Sequence, residues 1–132
     1  GEILYVDEVI GNIIETLKKK KIHDKTIIAV TADHGEEFFD HQAWGHSHSM
    51  YNELLHIPLI FFIPDFPLPP ARIQSRVSII DVGPTLLSLA GLPADPSVDG
   101  KDLTPLFEGA DEEIHDFLYA EQVKPRRKRS TN

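Results

Sequence analysis

Apolar residues at Ile3, Val6, Ile10, Ile13, Ile14 and Leu17 recur at intervals of three and four, the spacing that lines one face of a helix over about Glu2 to Lys20. Lys18 to Lys21 fall in its last turn, where the helix dipole favours positive charge, so a solvated helix end explains them better than a binding patch. His23 and Asp24 mark a turn. The β-branched run Thr26 to Ala32 that follows shows little alternation, the pattern of a strand covered on both faces in a parallel sheet. Ile57 to Ile63 reads as a second buried strand with Pro58 at its start, and Met50 to Leu55 fits helix or loop equally. Pro67, Pro69 and Pro70 make Asp65 to Ala71 an irregular surface connection. Asp81 is expected to cap a helix that Pro84 helps begin and that Gly91 and Pro93 end. Asp99 and Gly100 mark a turn, Leu103, Leu106 and Phe107 resume an apolar face, and Phe117 to Glu121 is expected to form one further strand. Helices alternating with buried strands give an α/β fold class.

Length and composition narrow the picture. A chain of 132 residues with 41% hydrophobic and 26% charged residues holds one compact globular unit and no low-complexity tract. Residues 1–122 are expected to form that body. The bases Lys124, Arg126, Arg127, Lys128 and Arg129, with no acid among them, mark 123–132 as a disordered basic tail. The net charge is -8 from 13 Lys and Arg against 21 Asp and Glu, so without the five tail bases the body carries 8 minus 21, or -13. Such a body repels nucleic acid, which is not an expected partner. No apolar run reaches the ~18 to 20 residues that span a bilayer, and Gly1 to Ile14 lack the basic and apolar regions of a signal peptide. The absence of cysteine removes disulfides, thiolate metal sites and cysteine nucleophiles together.

The chemistry gathers between Thr31 and Glu53. Asp33 and His34 follow the strongest strand directly, which places a carboxylate and an imidazole at its carboxyl end, where open α/β sheets hold their ligands. Together they offer an oxygen and a nitrogen to one divalent cation, although a strand-end Asp making turn hydrogen bonds beside an incidental His is the alternative. His41, His46 and His48 crowd into eight residues beside Trp44 and Gly45. These imidazoles can bind metal or hold a proton for a leaving group; a polar loop whose rings bond to backbone is the competing explanation. His56 and His115 are read as structural. No Lys or Arg occurs from Thr26 to Pro70, so Asp33, Glu36, Glu37 and Asp40 form an acidic cluster suited to a cation and hostile to an anion.

The run Thr31-Ala32-Asp33-His34-Gly35-Glu36, then Trp44-Gly45-His46, then Met50-Tyr51-Asn52-Glu53 leading to Ile57-Pro58-Leu59-Ile60, resembles the carboxyl-side half of the sulfatase family in the alkaline phosphatase superfamily. Tyr5-Val6-Asp7-Glu8, the Leu-Ala-Gly-Leu-Pro ending of the helix after Asp81, and Asp99-Gly100-Lys101 before Leu103 and Pro105-Leu106-Phe107 look like family stretches in family order. The resemblance implies a fragment of a three-layer alkaline-phosphatase-like sandwich with a mostly parallel sheet. It implies a divalent metal ion, calcium or else magnesium or manganese, with Asp33 and His34 as ligands. His46, with His48 as second candidate, matches the segment that contacts the transferred group and protonates the leaving oxygen. The family's formylglycine nucleophile arises in a Cys/Ser-x-Pro-x-Arg context, which this chain lacks, so it is expected only in a missing amino-terminal part. The implied function is part of a metal-dependent sulfuric ester hydrolase acting on a small-molecule or carbohydrate sulfate ester. Alone, the fragment is expected to be inactive and to self-associate through apolar surface. The alternatives are a phosphodiester or phosphonate monoester hydrolase or a phosphoglycerol-transferase-like enzyme acting on phosphate or phosphonate esters, and, from another class, a non-catalytic binding or structural module.

Overall fold

The computed structural model describes residues 1–67, 69–109 and 113–122, so the basic run at 123–132 lies outside the described residues. The amphipathic opener forms helix α1, Glu2–Lys19, with Glu2 in its first turn and Lys18 and Lys19 in its last, as the dipole favours. A short 3₁₀ turn, His23–Lys25, leads into strand β1, Ile28–Thr31. Strand β2, Glu37–Phe38, and strand β3, Trp44–Gly45, form a small hairpin, and helix α2, Asn52–Leu55, follows. Strand β4, Leu59–Phe62, begins immediately after Pro58, which has no N–H for a ladder. Helix α3, Val82–Leu89, and the single turn α4, Thr104–Phe107, complete the α/β assembly.

The β1 and β4 strands pair antiparallel, Ile28 opposite Phe62 and Thr31 opposite Leu59, where the apolar runs had suggested neighbours in a parallel sheet. An unbroken apolar run reports cover, not direction, which is why the sequence did not distinguish the two. Cover is also lighter than expected. Ile28, Ala29 and Val30 are half-buried, and β4 alternates, with Leu59 and Phe61 turned inward and Ile60 and Phe62 exposed. The Phe61 ring meets Phe107 of α4 at 5.2 Å, so the strand pair is stitched to the carboxyl-side helices. Phe117 to Glu121, expected as a strand, carries no strand assignment. The apolar stripe of α1 is likewise real but uncovered: Ile3, Val6 and Ile13 are exposed, and only Ile10, Ile14 and Leu17 are half-buried.

Asp81 occupies the N-cap position of α3, as expected, but its side chain caps no N–H of that helix. It turns back instead: Ser78 is the cap of a 3₁₀ turn, Ile79–Asp81, and Asp81 closes the reciprocal capping box from its third position. The Asp81 carboxylate is fully buried and accepts from Ser78 N–H at 2.7 Å, Lys101 N–H at 2.8 Å and His115 Nε2–H at 2.8 Å. Its carbonyl accepts from the Thr85 hydroxyl at 2.6 Å, which in turn accepts from Leu103 N–H at 3.0 Å. Gly100 makes this closure possible, since a Cβ there would collide with the Ile80 carbonyl. His115 is thus structural, as read. Asp81→Ala strands three donors in the interior and should cost about 3 to 5 kcal/mol. A urea midpoint within error of wild type would show that the Asp81 network contributes little.

Candidate functional site

Asp33 and His34 emerge two residues beyond the end of β1, as their position in sequence predicts. The His34 ring donates from Nδ1 to the Gly35 carbonyl at 2.7 Å, and a carbonyl can only accept. In the neutral ring the Nε2 lone pair is therefore free, and it lies 3.7 Å from Asp33 Oδ2. Asp33 Oδ1 takes the His34 N–H at 3.1 Å, and the side chain is 88% exposed with no Lys or Arg paired to it among the described residues. Carboxylate and imidazole point the same way at a strand end, the arrangement that offers a cation an oxygen and a nitrogen.

Gly35 holds this corner in place. Its N–H donates to the Leu54 carbonyl at 2.9 Å, and any Cβ would collide with the Glu53 carbonyl, so the turn after β1 rests directly on α2. Beyond it the chain enters the hairpin: Glu36, just before β2, is half-buried, whereas Glu37, its first residue, is fully buried. Glu36 reaches His46, whose Nδ1 lies 3.1 Å from Oε2. The His34 and His46 rings are 4.2 Å apart, and one ligand atom each from His34, Glu36 and His46 lie within 4.8 Å of one another. The structure thus brings His46 beside His34 and adds Glu36 to the set.

Glu37 goes inward and is fully buried. Its Oε1 accepts from His41 N–H at 2.8 Å and Ala43 N–H at 3.1 Å, while Oε2 lies 3.6 Å from His48 Nε2. His48 is therefore turned away from the His34 and His46 pair, into the loop. The hairpin needs this anchor because Phe39 and Gln42 in its turn take positive φ, 77° and 65°, a conformation costing an L-residue about 1 to 3 kcal/mol, and Ser47 just beyond β3 does so too at 68°. His41 stacks on Tyr51 at 3.6 Å and meets Glu53 Oε1 through Nδ1 at 2.5 Å. The partnership with Glu53, twelve residues away, went unread in the sequence; the one available signal was a lone acid following Tyr51. A cleft of about 460 Å³ runs past Thr31, Asn52 and His56, and Asp33, His34, His46 and His48 do not line it.

Comparison with known proteins bears on this geometry. The sequence profile described as Sulfatase matches residues 1–92. Arylsulfatase K of Mus musculus is 35% identical over 104 residues, covering 79% of this chain and 18% of that protein. Arylsulfatase K of Gallus gallus is 35% identical over 109 residues, covering 82% and 20%. The chain thus spans about a fifth of the length of these relatives. Among solved structures, phosphonate monoester hydrolase SpPMH from Silicibacter pomeroyi superposes with a TM-score of 0.72 at 35% identity, covering 86% of this chain and 22% of that one. BT4656, solved in complex with its substrate D-glucosamine-2-N,6-O-disulfate, gives 0.66 at 32% identity, covering 88% and 23%.

The close seat of Gly35 on α2 yields a direct test. Gly35→Ala must push the turn carrying Asp33 and His34 off the Glu53 carbonyl, and the Gly35 N–H to Leu54 bond goes with it. The expected result is a loss of about 2 kcal/mol or more in chemical denaturation, together with shifted His34 and His46 ring resonances. Unchanged ring resonances would show that the turn is not held by this contact.

Proposed function

The chain belongs to the sulfatase family of the alkaline phosphatase superfamily, and from that premise we propose that its residues 1–122 form the cation-holding side of the active site of a sulfatase-type hydrolase. Its substrate in this proposal is a sulfate ester of a small molecule or carbohydrate. The observation that carries the proposal is the pairing of His34, its Nε2 lone pair free beside the exposed Asp33 carboxylate, with a second imidazole, His46, whose ring lies 4.2 Å away. A carboxylate oxygen and an imidazole nitrogen suit a divalent cation, and family membership implies metal dependence. Asp33 and His34 would hold that ion. When bound, it draws negative charge from the non-bridging oxygens of the ester.

The remaining steps belong to this chain's own side chains. Glu36 accepts from His46 Nδ1 and so orients the ring with Nε2 directed away from Glu36, available to pass a proton to the leaving oxygen. His48 is the weaker candidate for that role, because its Nε2 is buried against Glu37. A nucleophile is not among these residues. The chain has no Cys and no Ser-Pro pair, so an activated formylglycine of the family's kind would have to come from outside it, and the chain by itself is proposed to be inactive.

A second reading keeps the same residues and changes the electrophile from sulfur to phosphorus. It is favoured by the superposition on phosphonate monoester hydrolase SpPMH. Paired aryl sulfate and aryl phosphodiester substrates, given to the enzyme that carries these residues, separate the two. In that enzyme Asp33→Ala and His34→Ala should release the metal, measured directly by metal analysis. His46→Ala should retain the metal and slow turnover by roughly 100- to 10,000-fold on esters with poor leaving groups. The defect should shrink on activated aryl esters, which need little protonation. An equal defect on both ester types would remove His46 from the acid's role.

Self-association of the isolated chain belongs to the same proposal. Ile3, Val6 and Ile13 on α1, with Ile60 and Phe62 on β4, leave apolar surface open to water. Light scattering should show mass rising with concentration and a hydrophobic dye should bind; a strict monomer that binds no dye would contradict it.

A further inference from the structure

Apart from the His34, Glu36 and His46 set, the structure gathers a second set of donors that the hydrolase proposal does not use. One ligand atom each from Glu37, His41 and Glu53 lie within 4.8 Å of one another. We propose that these three residues, with His48 beside them, form a second divalent-cation site that fixes the hairpin onto α2.

An independent observation points to a missing ligand there. Glu37 is fully buried, yet its Oε2 has no hydrogen-bond donor, and His48 Nε2 and Ser49 Oγ are also buried without a partner. An unpartnered carboxylate oxygen in the interior is costly, and the nearest group, His48 Nε2 at 3.6 Å, stands just beyond hydrogen-bonding distance. A cation taken up between the Glu37 and Glu53 carboxylates would satisfy that oxygen. No Lys or Arg from Thr26 to Pro70 is present to do so.

Donor chemistry and spacing select the ion. Two carboxylates with one or two imidazoles form a mixed oxygen and nitrogen set, which suits zinc or manganese better than calcium or magnesium. Around a four-coordinate zinc with bonds of about 2.0 to 2.2 Å the donors sit about 3.4 Å apart, so a cluster already within 4.8 Å closes by side-chain motion alone. His41 Nδ1 faces Glu53 Oε1 across a hydrogen bond, and ligation exchanges that shared proton for the metal. The ring is already oriented by its stack on Tyr51, and the His41 N–H is tied to Glu37 Oε1. Sequence explains why two sets can stand close together: Glu36 and Glu37 are adjacent, and each joins one of them.

The test uses zinc alone, with equilibrium dialysis and metal analysis as readout, and owes nothing to turnover. The chain carrying Asp33→Ala and His34→Ala, which removes the proposed active-site ligands, should still bind about one equivalent of zinc. Adding Glu53→Gln, which keeps the shape and can still hydrogen-bond His41, should weaken that binding by at least about 100-fold, as should His41→Gln. Adding Glu36→Gln should leave it unchanged. A parallel measurement needs no change at Asp33 or His34: cobalt in place of zinc should give the visible absorption of a four-coordinate site, lost in Glu53→Gln and kept in Glu36→Gln. Failure of zinc to bind the Asp33→Ala, His34→Ala chain while its circular dichroism matches wild type would overturn the second site and leave Glu37 Oε2 facing His48 alone. Binding that is indifferent to Glu53→Gln would overturn it equally, and neither result would touch the role proposed for Asp33.

Discussion

The buried carboxylate of Glu37 is the constraint on which the site depends. A hairpin with two non-glycine residues, Phe39 and Gln42, in left-handed conformations is unfavourable on its own, and two N–H donors from the same loop converge on Glu37 Oε1 to hold it. Desolvating a carboxylate costs several kcal/mol unless its lone pairs are filled, so the loop and the carboxylate stabilise each other. With Glu37 anchored inside, its half-buried neighbour Glu36 meets His46, and His46 lies beside His34.

A similar device holds the carboxyl side. Asp81 gathers Ser78, Lys101 and His115 around one buried carboxylate, and Thr85 links it to the start of α4. Each polar hub is accompanied by a glycine pressed against a carbonyl, Gly35 on Glu53 and Gly100 on Ile80. Buried apolar residues are few among the described residues, Leu54, Leu103 and Leu106, so satisfied polar groups do part of the work that a larger hydrophobic core does elsewhere. This also explains why β1 and β4 are only half covered: few apolar groups among the described residues are available to pack over them.

Legibility in the sequence divided along physical lines. The helix face of α1, the two strands and the position of Asp33 and His34 were readable, because each depends on periodicity or on the break of a local pattern. Strand direction was not, since Thr26 to Ala32 and Ile57 to Ile63 look alike in either sense. The hairpin escaped notice because Phe38 and Trp44, at 66% exposed each, violate the expectation that strand aromatics face a core. The N-cap position of Asp81 was readable, but the turn of its side chain back to Ser78 was not, because a 3₁₀ turn precedes the helix proper. The pairing of His41 with Glu53 and the split between His46 and His48 are tertiary facts. No spacing rule distinguishes two histidines two residues apart until one of them is seen to face a buried glutamate.

Electrostatics sets the last condition on the site. From Thr26 to Pro70 the chain carries acids and histidines and no permanent cation, so Asp33 and Glu36 face any incoming sulfate or phosphate ester with like charge. Screening over about 8 Å at physiological ionic strength does not relieve repulsion at contact distance. On the proposed function, an ester would settle here only when positive charge is brought to Asp33 and His34, whose Nε2 lone pair and exposed carboxylate would attract that charge. Cation affinity and anion binding would then be one property of these residues: the acids select the cation, and its excess charge admits the ester.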